Sequence, residues 1–396
     1  MNCKQLSLGL KSLVIFRNLL KDEPIVKLNR LLEADPADEA YAVDAYCDFA
    51  AALLARKDRF ASYLAAFITE DENLYLRSVL TANPRPLLED ILKRELTFLS
   101  ELSAFDGSEL RDQLSCGYAL PRWDATPLDL AELYHRHIER IPVNGFGIYA
   151  KHHVFLLNDD GTLSPVKNPD DQRLCDLFGY ETQREKLIAN TKTLLAGGQA
   201  NNALLYGDAG TGKSSTVKAV ANELKAEGLR LIELGKKQLY RLPELLDMLA
   251  DNPLKFIIFI DDLCFDSDDR EFSTFKAILE GGVGCRRQNT VIYATSNHRH
   301  MVKERVSDRA GEEININDTL QELSSLSARF GLTLTFDRPN KALFEDIVCR
   351  LADRAGLDMA HDALCIKAEA FAIRAGGRNA RVAKQFVELV AAGILS

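Results

Sequence analysis

The sequence predicts an α/β protein: a parallel sheet with helices on both faces, a C-terminal helical lid, and a mainly helical N-terminal domain. Three observations carry this prediction. Short, nearly continuous apolar runs between residues 202 and 336 alternate with helical patterns, as strands buried on both faces of a parallel sheet do. After "FDRPN", where Pro339 punctuates the chain, three amphipathic stretches follow: "KALFEDIVCRLADRAG", "DALCIKAEAFAIRAGG" and "NARVAKQFVELVAAGIL". Before residue 140, as in "DEAYAVDAYCDFAAALLARKDRFASYLAAFI", apolar residues recur at the three- and four-residue intervals of amphipathic helices.

At 396 residues the chain exceeds one ordinary core, so several domains are expected. They read as residues 1–140, a mainly helical N-terminal domain without a chemical motif; 141–171, a β-hairpin and linker; 172–338, the α/β domain; and 339–396, the helical lid. The hairpin is signalled by "GFGIYAKHHVFLLNDDGTLSPV", where two β-prone runs flank Asn158, Asp159, Asp160 and Gly161. The sheet strands are "NALLYG", "LRLIEL", "KFIIFIDD", "NTVIYATSN" and "LTLTF".

The net charge of −9 argues against a broad nucleic-acid footprint. No stretch approaches the run of about eighteen apolar residues that a membrane span needs, so no membrane association is expected. Lys11 and Arg17 interrupt the apolar N-terminus, which does not read as a secretory signal. The eight cysteines are scattered with no C-x-x-C pair. They are expected to be reduced thiols in a cytoplasmic protein.

Residues 203–215 read "ALLYGDAGTGKSS". Gly207, Gly212, Lys213 and Ser214 match G-x-x-x-x-G-K-[ST], set between a predicted strand and a predicted helix. Gly207, Gly210 and Gly212 permit backbone geometry that side chains forbid, so successive N–H groups can converge on an anion at the helix N-terminus. The run Gly207, Asp208, Ala209, Gly210, Thr211, Gly212, Lys213, Ser214 and Ser215 is therefore the expected cradle of a nucleoside triphosphate. Lys213 would reach the β- and γ-phosphates and Ser214 would ligate Mg2+. "KFIIFIDD" places two carboxylates at a strand's C-terminal end, where ligands sit in open α/β sheets. Asp261 would hold the Mg2+ and Asp262 would orient or deprotonate the attacking water.

With these motifs in order, residues 172–395 resemble the AAA+ P-loop ATPases, which implies ATP as the nucleotide. In that superfamily the second phosphate motif usually ends Asp-Glu. Here it ends Asp-Asp, setting the carboxylate roughly 1.5 Å further back. The resemblance further implies that Asn297 in "ATSN" helps place the water, and that Arg329 in "SLSARFGLTLTF" reaches a neighbouring subunit's γ-phosphate. It also implies that Arg381 in "GGRNARVAKQF" touches the nucleotide from the lid, with Arg378 in reserve, and that Gly179 and Tyr180 in "DLFGYETQREKLIANT" close over adenine.

"ANNALLYGDAGTGKSSTVKA", "IDDLCFDSDDREFSTFKAILEGG", "VIYATSNHRH" and "SLSARFGL" resemble one bacterial AAA+ branch that carries a domain of unknown function. Asp266, Asp268, Asp269 and Glu271 read either as a solvated acidic helix start or as a docking device. His298, Arg299, His300, Lys303 and Arg305 read either as solvated surface charges or as a contact with nucleic acid or an acidic subunit edge. An arginine acting in trans implies a homo-oligomer, a hexamer or another ring. The expected function is ATP hydrolysis that remodels or loads a macromolecular partner. The alternative is a slow or non-hydrolysing ATP-gated module that recruits a protein partner through its N-terminal domain.

Overall fold

The computed structural model describes residues 2–35, 37–114, 118–264, 275–276, 278–279, 289–297 and 329–395. The acidic residues from Asp266 to Glu271 and the basic residues from His298 to Arg305 lie outside them, as do Cys116 and Cys285. The chain forms two compact units, Met1–Lys151 and His152–Ser396.

The first unit is helical. Its longer helices are Cys3–Lys11, Glu23–Leu32, Glu39–Leu54, Phe60–Glu70, Pro86–Leu102 and Leu130–Glu139. The first begins in a reciprocal cap, where the Asn2 side chain accepts from the Gln5 N–H and the Gln5 side chain accepts from the Asn2 N–H. Apolar faces bury Phe16, Tyr46, Phe49, Phe60, Leu96 and Tyr134 together. Phe49 meets Phe60 and Trp123 edge-on, with centroids 5.6 and 5.0 Å apart. Two acids are buried in this unit. Glu95 accepts from the N–H groups of Val14, Ile15 and Phe16 at 2.6–3.2 Å, while Asp71 receives Asn18 Nδ2 on Oδ1 at 2.9 Å.

The second unit is built on one sheet of strands β1 (Val154–Leu157), β2 (Leu163–Pro165), β3 (Ala203–Gly207), β4 (Leu229–Leu234), β5 (Lys255–Ile260), β6 (Thr290–Ser296) and β7 (Leu332–Phe336). Their order is β2-β1-β4-β5-β6-β3-β7, with every pairing parallel except the β1–β2 hairpin. The apolar runs become strands because both sides of each are covered: Leu204, Leu205 and every residue from Phe256 to Ile260 are inaccessible to solvent. Burial of each such side chain contributes about 1.5–3 kcal/mol. Helices Glu181–Leu195, Lys213–Leu224 and Leu242–Leu249 flank the strands. The sheet is thus the P-loop NTPase α/β fold expected from the motifs.

After Pro339 three helices, Lys341–Arg354, His361–Arg374 and Ala380–Ala391, form the lid around Phe344, Ile347, Leu364, Ala368 and Phe386. Asn340 caps the first and Asn379 the third, each side chain accepting from the backbone three residues on at 2.9 Å. Arg338 joins lid to sheet: its N–H donates to Asp208 Oδ2 at 3.0 Å and its Nη2 to the Gly376 carbonyl at 2.9 Å. Among the described residues no helix is long and apolar enough to cross a membrane.

Candidate functional site

The strand order decides what meets at the C-terminal edge of the sheet. β6 lies between β5 and β3, so the residues leaving those three strands converge: Asp261 and Asp262 from β5, Asn297 from β6, and the glycine loop from β3. That loop turns into the Lys213–Leu224 helix through left-handed backbone at Gly210 (φ 79°) and Gly212 (φ 93°). Gly207 adopts φ 138°, and a Cβ there would lie 2.1 Å from the Phe336 carbonyl oxygen. Only glycine lets β3 end this close to β7.

Lys213 is 6% exposed, and its ammonium donates to the carbonyls of Gly207 and Asp208 at 2.7 Å and to Asn297 Oδ1 at 2.9 Å. Burial lowers its pKa from the usual lysine range, with Asp208, Asp262 and Asp261 pulling it back up and Arg381 pushing it down. Ser214 Oγ donates to Asp261 Oδ1 at 2.6 Å, and Asn297 Nδ2 donates to Asp262 Oδ1 at 2.7 Å. Asp262 sits in left-handed backbone, φ 51°, uncommon for a non-glycine residue and a mark of local constraint.

These groups line one end of a cavity of about 920 Å³. Of the residues singled out in the sequence, Ala209, Gly210, Thr211, Gly212, Lys213, Ser214, Ser215, Asp261, Asp262, Asn297 and Arg381 line it. Gly207 and Asp208 stand behind the loop as acceptors for Lys213. Gly179 faces the lid, where a Cβ would meet Ile347 and Leu343 at 3.0 and 3.2 Å. Tyr180 stacks obliquely on Phe336 at 5.1 Å and donates to the Asp337 carbonyl at 2.5 Å. Burial, then Asp208 and Asp337, push its phenol up to about 12. Leu177 and Phe178, the two residues just before Gly179, line the cavity where Gly179 and Tyr180 do not. Arg329 is absent from the described lining as well.

Arg381 reaches the cavity from the lid, and its backbone N–H donates to the Gly210 carbonyl at 3.1 Å. Arg378 is committed elsewhere, with Nε 2.9 Å from Glu369 Oε2. The motifs did not point to several further residues. Thr295 lies under the two aspartates, Arg184 donates to the Gly179 carbonyl, and Arg354 and Lys384 line the cavity. Arg354 and Lys384 sit on the lid's first and third helices, where an exposed cation is common. Among the described residues no group of three or more His, Cys, Asp or Glu side chains is placed to hold a metal ion.

Similar solved structures include Thermotoga maritima RuvB, a Holliday junction branch migration motor, at 16% identity and TM-score 0.37, and a variant of that RuvB at 18% and 0.39. Each match covers 55% of this chain and 64% of the other, so the chain spans less than two thirds of the structures it matches. The fold stands on the strand order and the phosphate loop. A family model matches residues 150–394, which include the whole sheet, the cavity and most of the lid, and on that match the chain belongs to the family described as protein of unknown function (DUF815).

Proposed function

We propose that this AAA+ protein binds and hydrolyses ATP with Mg2+ as a cytoplasmic homo-oligomer, and that turnover remodels or loads a macromolecular partner. The observation that supports it most is the convergence of Lys213, Ser214, Asp261, Asp262 and Asn297 on one end of the cavity. The residues present suit both groups. At Gly212 the loop leaves open space where a Cβ would stand, and Ser214 beside Asp261 offers the oxygen donors that Mg2+ prefers. When bound, Mg2+ would offset charge on the phosphates.

The chain's own groups would do the rest. Lys213 and Arg381 would place positive charge along the phosphates. Asp262, held on Oδ1 by Asn297, would orient the attacking water or take its proton. Arg329 would act on the site of a second copy, stabilising charge that builds up in the transition state. A second reading, a slow ATP-gated module binding a protein through residues 1–140, is favoured by Asp262, whose carboxylate ends one methylene short of a glutamate's.

Calorimetry with MgATP on the whole chain tests the proposal. Binding should appear with the wild type and vanish in Lys213→Ala. A wild type that neither binds MgATP nor assembles with it ends the reading. Turnover per site should rise with protein concentration. It should be lost in Arg329→Ala and return in part on mixing with Asp262→Asn. Turnover near zero with ATP-dependent assembly selects the second reading.

A further inference from the structure

Thr295 stands two residues before Asn297 in "ATSN" with no role assigned to it by the motif, yet three bonds tie it to the end of β5. It lies near the C-terminal end of β6 and is 1% exposed. Its Oγ1 donates to Asp261 Oδ1 at 2.6 Å and accepts the Asp262 N–H at 2.9 Å. Its carbonyl accepts the Leu263 N–H at 2.7 Å. A hydroxyl has one proton and two lone pairs. With the proton directed at Asp261 and a lone pair at the Asp262 N–H, its rotor is fixed. The bond to a carboxylate is charge-assisted and so among the stronger ones.

Both aspartates depend on this arrangement. Asp261 Oδ1 receives two hydroxyls, Ser214 from the phosphate-loop helix and Thr295 from the neighbouring strand, which sets the plane of the carboxylate. Asp262 keeps its left-handed backbone while its N–H is held by Thr295, and its side chain then meets Asn297 Nδ2. One buried hydroxyl therefore fixes the carboxylate nearest Ser214 and the one nearest Asn297 at once. The short Asp262 raises the demand on that hydroxyl, because a side chain with one methylene fewer has less reach to correct a misplaced backbone.

We propose that Thr295 is the positioning residue of the nucleotide site, setting Asp261 for a divalent cation and Asp262 for water through a single side-chain oxygen. This rests on the nucleotide reading above, and the experiment separates the two. Thr295→Val removes the hydroxyl while keeping the shape and the β-branched character of a buried strand residue. Thr295→Ser keeps the hydroxyl and loses the methyl. For each full-length protein, the affinity for a fluorescent ATP analogue is measured in Mg2+ and in EDTA, alongside kcat and KM.

Thr295→Val should match wild-type affinity in EDTA but lose about 10-fold or more of the gain that Mg2+ brings. Its kcat should fall by roughly 10–100-fold with little change in KM, the usual range for partners that orient metal ligands. Thr295→Ser should recover both. A Thr295→Val protein with the wild-type Mg2+ gain and kcat overturns the proposal, as does a Thr295→Ser protein no better than Thr295→Val, since packing would then be what counts. If Thr295→Val does not fold, Thr295→Ala takes its place under the same criteria. A wild type that binds the analogue in neither buffer refutes the nucleotide reading itself and takes this proposal with it.

Discussion

Replacing Gly207 with alanine should be far more damaging than the same change at Gly212, although both carry positive φ angles of 138° and 93°. At Gly212 nothing lies within 4 Å of a new Cβ, so the cost is backbone strain alone, about 1–2 kcal/mol. At Gly207 the Cβ would stand 2.1 Å from the carbonyl oxygen and 2.5 Å from the carbonyl carbon of Phe336. Those atoms belong to backbone paired with β3 and cannot rotate away. Relief requires β7 to shift by about 1 Å, overpacking of a kind that costs about 1–3 kcal/mol. The shift also disrupts the Asp208 N–H bond to that same oxygen, now 3.2 Å, for about 1 kcal/mol more. The total is about 3–6 kcal/mol, a large share of the roughly 5–15 kcal/mol that holds a domain together. Urea unfolding followed by far-UV circular dichroism reads it directly. With a slope of about 1–3 kcal/mol per molar, the Gly207→Ala midpoint should fall below that of Gly212→Ala by about 1 M or more. Equal midpoints would show that the approach of β3 to β7 is not what requires glycine.

Three further outcomes are expected. Glu95→Ala strips the acceptor from the Val14 N–H and from the buried N–H groups of Ile15 and Phe16, and at about 1–3 kcal/mol for each of the two buried groups the first unit should be clearly destabilised; a melting temperature within a degree of wild type would contradict this. Burial raises the pKa of Asp71 above its ordinary 3.8, opposed by Asn18 and Asn73, and its Oδ2 has no partner among the described residues. The unfolded chain therefore releases this proton first as pH rises, so the native state loses stability upward from about pH 4. The advantage of Asp71→Asn over wild type should accordingly grow between pH 3.5 and 7, and a pH-independent difference would refute the assignment. Finally, Arg381→Ala should weaken MgATP binding about tenfold or more in calorimetry, while Arg378→Ala, whose guanidinium is engaged by Glu369, should leave it within about twofold.

The sheet was readable because its strands are buried on both faces. Continuous runs such as Phe256 to Ile260 have few alternatives, and a parallel sheet needs helices between such runs. The phosphate loop was readable because its chemistry demands glycines and a lysine at fixed spacing. The pairing of β1 with β4, Phe155 beside Ile232, was not, since a four-residue apolar strand carries no record of its distant neighbour. Thr295 was hidden for another reason. Threonine is common in strands on packing grounds alone, so its hydroxyl draws notice only once Asp261 is seen 2.6 Å away. Glu95 reads as an ordinary solvent-facing charge in the Pro86–Leu102 helix until three amide hydrogens are found pointing at it. Sequence periodicity specifies faces, whereas these two residues act through partners 34 and 79–81 positions away.

The β1–β2 hairpin also shields the sheet from unwanted association. Without it β4 would be a six-residue border offering bare peptide groups to any extended segment nearby. With it the terminal strand is only three residues long and ends in Pro165, which has no amide hydrogen to donate. A fragment beginning at residue 172 would keep the whole phosphate cradle and lose this guard, and it should clump through β4. A fragment beginning at residue 152 should remain dispersed.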